Sequence, residues 1–290
     1  MAARLLWTTI VGLISSQVAA AQNTEIVVEG KRDRKQEIRE FVRALTPSKI
    51  AYGQIARYEE KICPAAIGLG GSDRRIANRL RAVAREAKIG LAPESCAPNA
   101  LLIVTDDKVS FIDALRKEYP AYFYNALGEP VKIPQDSGPA TAWHIEGMLD
   151  YNGTPASISK TAGGGKYYVV TGLFNSRITP NSRPHFIAGV VVIKRSALAG
   201  LTETQIADYA AMRLYGRTDP ARLPAKSPPS ILKAVETPMG GAVPMTLTAW
   251  DLAFLKGLYT SEPLQYATQH RASIGRKVGK ALAQDGKVSR

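Results

Sequence analysis

The sequence contains little histidine and little cysteine, the side chains that most often bind metals or act as nucleophiles. Its 290 residues include three histidines, His144, His185 and His270, and two cysteines, Cys63 and Cys96. Neither cysteine has a histidine close to it in sequence, and their spacing matches no zinc or thioredoxin motif. No Gly-x-Ser-x-Gly sequence occurs either, so a serine-hydrolase elbow has no local support. We therefore expect no cofactor and no bound metal.

The first 21 residues contain an apolar run that is too short to cross a bilayer. Arg4 precedes this run, which covers residues 5–14, and the segment ends on small residues before Gln22. A membrane span needs roughly 20 apolar residues, and this run has about ten. A short apolar run followed by small residues is typical of a secretory signal peptide. The sequence therefore predicts a signal peptide over residues 1–21 and a soluble protein that is periplasmic or secreted.

Acidic residues are scarce relative to basic ones. The chain has 38 Lys and Arg against 25 Asp and Glu, which gives a formal net charge of +13. For an exported protein, the available polyanions are lipid headgroups, lipopolysaccharide, wall polymers and acidic proteins. We expect an envelope polyanion or an envelope protein as partner, and no nucleic acid. The alternative is that the basic residues form solvated helix faces, as the arginines over residues 73–87 indicate by their spacing.

The two cysteines predict one disulfide, Cys63–Cys96. An exported chain enters an oxidising compartment, and no other cysteine competes for pairing. Closing a loop of about 30 residues stabilises a fold by roughly 3 to 4 kcal/mol in the chain-entropy model. A catalytic thiol or a metal pair is the alternative, which the lack of a nearby histidine disfavours.

The remaining pattern predicts an α+β fold with a mixed sheet. We expect a flexible arm over residues 22–35, a single domain over residues 36–285 and a polar tail over residues 286–290. Thr202 with Gln205, and Thr248 with Asp251, form capping boxes that predict helix starts. Apolar periodicity predicts helices over residues 36–46, 48–62, 73–90, 108–118, 202–216, 248–259 and 263–283, and strands over 100–104, 143–150, 167–173 and 186–194.

The segment from Glu25 to Arg32 resembles the TonB box, which follows the signal peptide in bacterial outer-membrane receptors. That segment pairs with its partner as an additional strand, so the resemblance implies a docking role for the arm. The resemblance is short, and no barrel follows it. An edge strand or a linker is therefore the favoured interpretation.

The segment from Leu247 to Tyr259 resembles the C-terminal helix of zincin metalloproteases of the matrixin-like branch. The resemblance covers about residues 100–260, because a strand at 186–194 and a helix at 202–216 precede that segment in the order of the family. It implies an active-site helix with a zinc-binding His-Glu-x-x-His motif, which this chain lacks. When Gly216 is aligned with the family's glycine, the ligand and catalytic positions fall on Tyr209, Ala210, Arg213 and Asp219. A shift of one residue places Asp208 and Met212 at the histidine positions.

None of these residues supplies the pair of neutral imidazoles and the adjacent carboxylate that a catalytic zinc requires. The resemblance thus implies a degenerate scaffold, or pseudoenzyme. Several short motifs, among them Glu-Glu-Lys-Ile-Cys-Pro and Ala-Asp-Tyr-Ala-Ala-Met-Arg, also resemble a family of uncharacterised alphaproteobacterial exported proteins, which implies no particular activity.

Two functions follow from these observations. The first is a noncatalytic binding or envelope-associated module. The alternative is a periplasmic hydrolase that acts on peptides or cell-wall polymers and uses His144 or His185 with carboxylates distant in sequence. These two histidines are weak pocket candidates, because a lone histidine more often has a structural role.

Overall fold

The computed structural model describes residues 22–47, 53–134, 138–170 and 179–288. The predicted signal peptide lies outside the described residues. By contacts, the chain divides into two units, Met1–Gln36 and Glu37–Arg290. The helices are α1 Gln22–Leu45, α2 Asp73–Glu86, α3 Lys108–Glu118, α4 Glu203–Tyr215, α5 Ala249–Thr260 and α6 Ala267–Val288. No described helix is both long enough and apolar enough to cross a membrane.

Residues 22–35 are helical, which corrects the prediction of a flexible arm. They form the first part of α1, so the segment from Glu25 to Arg32 is not an extended strand here. Glutamate, glutamine, lysine and arginine are all good helix formers, and no proline interrupts the chain before Pro47. At the other end, α6 continues to Val288, so most of the predicted polar tail is also helical.

The sheet has four strands: β1 Pro64–Ile67, β2 Ala100–Thr105, β3 Ala140–Asp150 and β6 Ser182–Lys194. Their order is β1-β2-β6-β3, in which β1, β2 and β6 are parallel and β3 is antiparallel to β6. Strands β4 Ser157–Lys160 and β5 Lys166–Val169 form a separate antiparallel pair. The mixed sheet with its helices confirms the predicted α+β class.

Both faces of the sheet are covered, which explains the unbroken apolar run of β2. Leu102 and Val104 belong to the larger core, which includes buried residues of α1, α2, α4, α5 and α6. Leu101 and Ile103 belong to a second core with Ile112 of α3. Successive strand residues point to opposite faces, so a strand between two cores needs apolar residues throughout.

The two capping boxes are confirmed. At α4, the backbone N–H of Gln205 donates to Thr202 Oγ1 at 3.2 Å, and that of Thr202 donates to Gln205 Oε1 at 3.0 Å. Thr248 and Asp251 form the same reciprocal pair at α5. These caps satisfy backbone donors that a helix start otherwise leaves unpaired.

Helix α2 ends four residues before Gly90, where the sequence predicted its end. Lys88 adopts a φ of 65° and its N–H donates to Arg85 O, while the N–H of Ile89 donates to Ala84 O at 2.8 Å. This is a Schellman motif with lysine in the position that glycine usually occupies. A lysine at that position gives no terminating signal in the sequence.

The helix predicted over residues 48–62 is wrong for its described part, residues 53–62. This segment is irregular and forms isolated bridges between Arg57 and His185 and between Ile62 and Leu91. The N–H of Phe186 donates to Arg57 O at 2.9 Å, and the Arg57 side chain donates to Leu258 O and Ser261 O. These long-range hydrogen bonds outweigh the helical periodicity of the local sequence.

The predicted disulfide is confirmed. Cys63 and Cys96 are bonded across a sequence separation of 33 residues. Cys63 directly precedes β1, and Cys96 lies in the loop that leads to β2. The bond therefore joins the entrances of two neighbouring parallel strands, and no helix ends at Cys63 as the helix predicted over residues 48–62 would have required.

Candidate functional site

The positions aligned with zincin ligands lie in a packed interior. Tyr209 and Ala210 of α4 are 0% exposed, and Arg213 is 8% exposed. Tyr209 Oη donates to Glu236 Oε1 at 3.3 Å and accepts from Arg213 Nη1 at 3.4 Å. Burial raises the pKa of Tyr209, so its phenol is neutral at physiological pH. This arrangement holds α4 to the loop at Glu236 and exposes no open coordination position.

Asp219, aligned with the third histidine, caps a short 3₁₀ turn. Its Oδ1 accepts the N–H of Ala221 at 3.1 Å. In the shifted alignment, Asp208 is fully buried and occupied by hydrogen bonds from α2 and the loop before α5, and Met212 is also fully buried. Among the described residues, no group of three or more His, Cys, Asp or Glu side chains could hold a metal ion.

His144 lies on β3, between the sheet and the C-terminal end of α4. Its ring stacks on Phe186 with centroids 4.0 Å apart, and its Nε2 lies 2.9 Å from Leu214 O. A carbonyl oxygen only accepts hydrogen bonds, so Nε2 carries the proton. Burial lowers the pKa of His144 to about 3. A neutral imidazole with this donor bond has a structural role.

His185 lies on the opposite face of the sheet from His144. Adjacent residues of a strand point to opposite faces, and Phe186 stacks on His144. Within the described ranges, the buried Nδ1 of His185 has no hydrogen-bond partner. Burial lowers the pKa of His185, while Glu60 and Glu59 oppose that shift. The structure therefore does not bring the two histidines together.

Neither of these histidines forms a hydrogen bond or an ion pair with a carboxylate of a described residue. The pairing that would support acid–base catalysis by His144 or His185 is thus not formed.

A small polar pocket lies beside a β-bulge in the β3–β6 pair, where the pairing register shifts between Ile145 and Glu146. Its volume is about 60 Å³, enough for roughly four water molecules or a small ion. Its polar lining includes Thr46, Gln54, Glu146 and Arg217. Arg217 donates to Glu146, and burial raises the pKa of that carboxyl while Arg217 opposes the shift. No local sequence signal marks the bulge, so the sequence did not predict this pocket.

The arginine-rich helix α2 is amphipathic, as predicted, but two of its arginines bind α4. Arg75 pairs with Glu203 at 2.5 Å, and Arg79 pairs with Asp208 at 2.7 Å. The buried side of α2 consists of Ile76, Leu80, Val83 and Ala84. The surface around α2 is therefore of mixed sign rather than uniformly basic.

Helix α6 exposes cations that have no such acidic neighbours, whereas Glu37 and Glu40 accompany the exposed arginines of α1. The two helices contact where Ile38 packs on Gly275 and Gly279. Helix α6 contains no acidic residue before Asp285. We define the α1–α6 basic face as five exposed side chains: Arg39, Arg43, Arg276, Lys277 and Lys280.

Comparison with protein-family models, curated proteins and solved structures finds no match to this chain. The resemblances to zincins and to exported alphaproteobacterial proteins therefore stay predictions.

Proposed function

We propose that the protein is a noncatalytic, envelope-associated binding module on a degenerate zincin-like scaffold, with an anionic polymer or headgroup as its partner. The α1–α6 basic face is the observation that carries this proposal. It concentrates five cations on two packed helices, of which α6 has no acidic residue before Asp285, and such a surface attracts polyanions over a Debye length.

The contrast with α2 supports the choice of surface. Helix α2 also exposes Arg74 and Arg85, and Lys88 is exposed just after its end, but Glu86 and Glu203 lie on or against the same helix. Opposite charges interspersed in this way reduce the net field that a polyanion experiences. The exposed part of α6 before Asp285 has no carboxylate to produce that reduction.

The interior of α4 supports the noncatalytic part of the proposal. In the alignment that the zincin resemblance implies, Tyr209, Ala210 and Arg213 fall where a zincin requires two histidines and a glutamate, and their side chains are buried. The envelope location rests on the predicted signal peptide and fits the Cys63–Cys96 disulfide.

The test is binding to vesicles of phosphatidylcholine with and without phosphatidylglycerol. The full chain is compared with two triple variants of equal charge change. One is Arg276→Gln, Lys277→Gln, Lys280→Gln on the basic face, and the α2 control is Arg74→Gln, Arg85→Gln on the helix with Lys88→Gln just after its end. We expect salt-sensitive binding to the anionic vesicles that the α6 variant weakens by about a hundredfold and the α2 control by less than about threefold.

Equal losses in the two variants would contradict the assignment of the basic face. Absence of wild-type binding to anionic vesicles at low salt would contradict the proposed headgroup partner.

A further inference from the structure

We infer that Arg43, Arg222 and Arg271 form a binding site for a phosphate group at the C-terminal end of α1. The site deepens the proposed function and rests on it for its biological setting, but it predicts a specific ligand chemistry rather than diffuse attraction.

Two of the three guanidinium groups are anchored on the same helix end. Arg222 Nε donates to Ala44 O at 3.2 Å. Arg271 Nε donates to Thr46 Oγ1 at 3.1 Å, and its Nη2 donates to Thr46 O at 2.7 Å. These bonds hold both planar guanidinium groups against residues 44–46, at the end of α1. Arg43 belongs to the last turn of the same helix.

The three cations are not paired with carboxylates in the described part of the chain, although Glu40 lies three residues before Arg43 on α1. None of them forms a salt bridge there. Burial lowers the pKa of Arg271, and the charges of Arg43 and Arg222 lower it further. Like charges are thus close enough to repel one another, which raises the free energy of the ligand-free state.

Capping of α1 accounts for only part of this charge. A helix C-terminus is equivalent to about half a negative charge, so one arginine is sufficient to compensate it. Three arginines leave an excess of about 2.5 positive charges on the same basis. The excess is larger than a cap requires and is typical of an anion site.

Phosphate fits this site better than a carboxylate does. A phosphate monoester carries about 1.5 to 2 negative charges near neutral pH, which nearly matches the excess. The guanidinium fork also donates two parallel hydrogen bonds to phosphate oxygens. Arg222 contacts α1 through Nε alone, so its two terminal nitrogens have no partner among the described residues.

A free phosphate ion and a lipid headgroup present the same chemistry, so the experiment has two arms. The first is isothermal titration of the full chain with inorganic phosphate, and with acetate as the monoanion control. The second is binding to phosphatidylcholine vesicles that contain phosphatidic acid. If the site binds a free phosphate ion, the first arm gives heat. If it binds a lipid headgroup, vesicles with phosphatidic acid bind more tightly than vesicles of phosphatidylcholine alone.

The variant is Arg43→Gln, because Arg43 is exposed and forms no hydrogen bond to a described residue, so the fold is preserved. Its matched control is Arg74→Gln, the identical substitution at an exposed position of α2 that lies outside both the site and the basic face. We expect Arg43→Gln to weaken phosphate binding by about tenfold and Arg74→Gln by less than about twofold. Arg222→Lys keeps the positive charge but loses the two parallel donors of the guanidinium group, so it should also weaken phosphate binding.

Equal effects of Arg43→Gln and Arg74→Gln on phosphate binding would overturn the site and leave the proposed function intact, provided that anionic vesicles still bind. Absence of heat with inorganic phosphate together with no gain from phosphatidic acid would also overturn it. Phosphate binding that Arg43→Gln abolishes, without any vesicle binding, would support the site and contradict the envelope function.

Discussion

Arg79 and Asp208 join α2 to α4 through two parallel hydrogen bonds. Arg79 Nε donates to Asp208 Oδ1 at 2.7 Å, and Nη2 donates to Oδ2 at 2.9 Å. The carboxylate is fully buried and also accepts Thr246 Oγ1 at 2.6 Å and the N–H of Leu247 at 2.8 Å. One side chain therefore connects α2, α4 and the residues that precede the capping box of α5.

Asp208→Asn should destabilise the fold because it removes the charge that balances Arg79 and replaces one acceptor by a donor. Breaking a fully buried pair costs about 3–5 kcal/mol, and the partial exposure of Arg79 reduces the expected loss to about 2–3 kcal/mol. The measurement is the free energy of unfolding in urea. Arg75→Gln is the control, because it breaks an exposed pair with Glu203 and should cost much less. Equal losses would show that the buried pair contributes no more than the surface pair.

His144 should make the fold less stable as the pH falls below about 6.5. Its folded pKa of about 3 lies below the unfolded value, so the unfolded chain binds more protons between these two values. The contribution of His144 to the free energy of unfolding is fully present above the unfolded pKa. About 2 kcal/mol of that contribution is lost by pH 5. Urea unfolding at pH 7, 6 and 5 measures this slope. His144→Gln keeps a hydrogen-bond donor and should reduce the slope without abolishing it, because burial also lowers the pKa of His185 and lowers that of His270 to about 4. An unchanged slope would contradict the assignment to His144.

Gly147→Ala should strain the β3–β6 pair beside the bulge. A Cβ at Gly147 would lie 2.8 Å from His185 Nε2 and 3.1 Å from Ile187 Cδ1. Overpacking of this kind costs about 1–3 kcal/mol. Adding His185→Ala should recover part of the loss, which a double-mutant cycle of urea unfolding energies detects. Gly163→Ala is the control, since a Cβ there meets nothing within 4 Å. Strictly additive losses at the two sites would contradict the proposed steric contact.

Features determined by neighbouring residues could be predicted from the sequence. Thr202 and Thr248 lie three residues before their capping partners, so a short segment contains the whole signal. The Cys63–Cys96 bond followed from the absence of competing cysteines. The alternation of arginine and apolar residues in α2 likewise predicted which side of the helix is buried.

Features determined by distant residues could not be predicted. The conformation around Arg57 depends on carbonyls of Leu258 and Ser261, about two hundred residues later in the chain. The arginines at the end of α1 come from three elements separated by long stretches of sequence. Local periodicity carries no information about such contacts, because they form only when the tertiary fold brings the elements together.

The zincin resemblance makes a prediction about metal content. That resemblance would align Tyr209 and Arg213 with the two histidines of the family's helix, and neither side chain is a usual zinc ligand at neutral pH. Purified protein, either native or refolded, is dialysed against buffer with micromolar zinc. Elemental analysis should then find far less than one zinc per chain. The double variant Tyr209→His, Arg213→His is the comparison, since it restores imidazoles one helical turn apart and should raise zinc content if the packed interior admits the ion. One tightly bound zinc per chain in the wild-type protein would contradict the noncatalytic, metal-free assignment, because the ligands would then come from residues that the alignment does not identify.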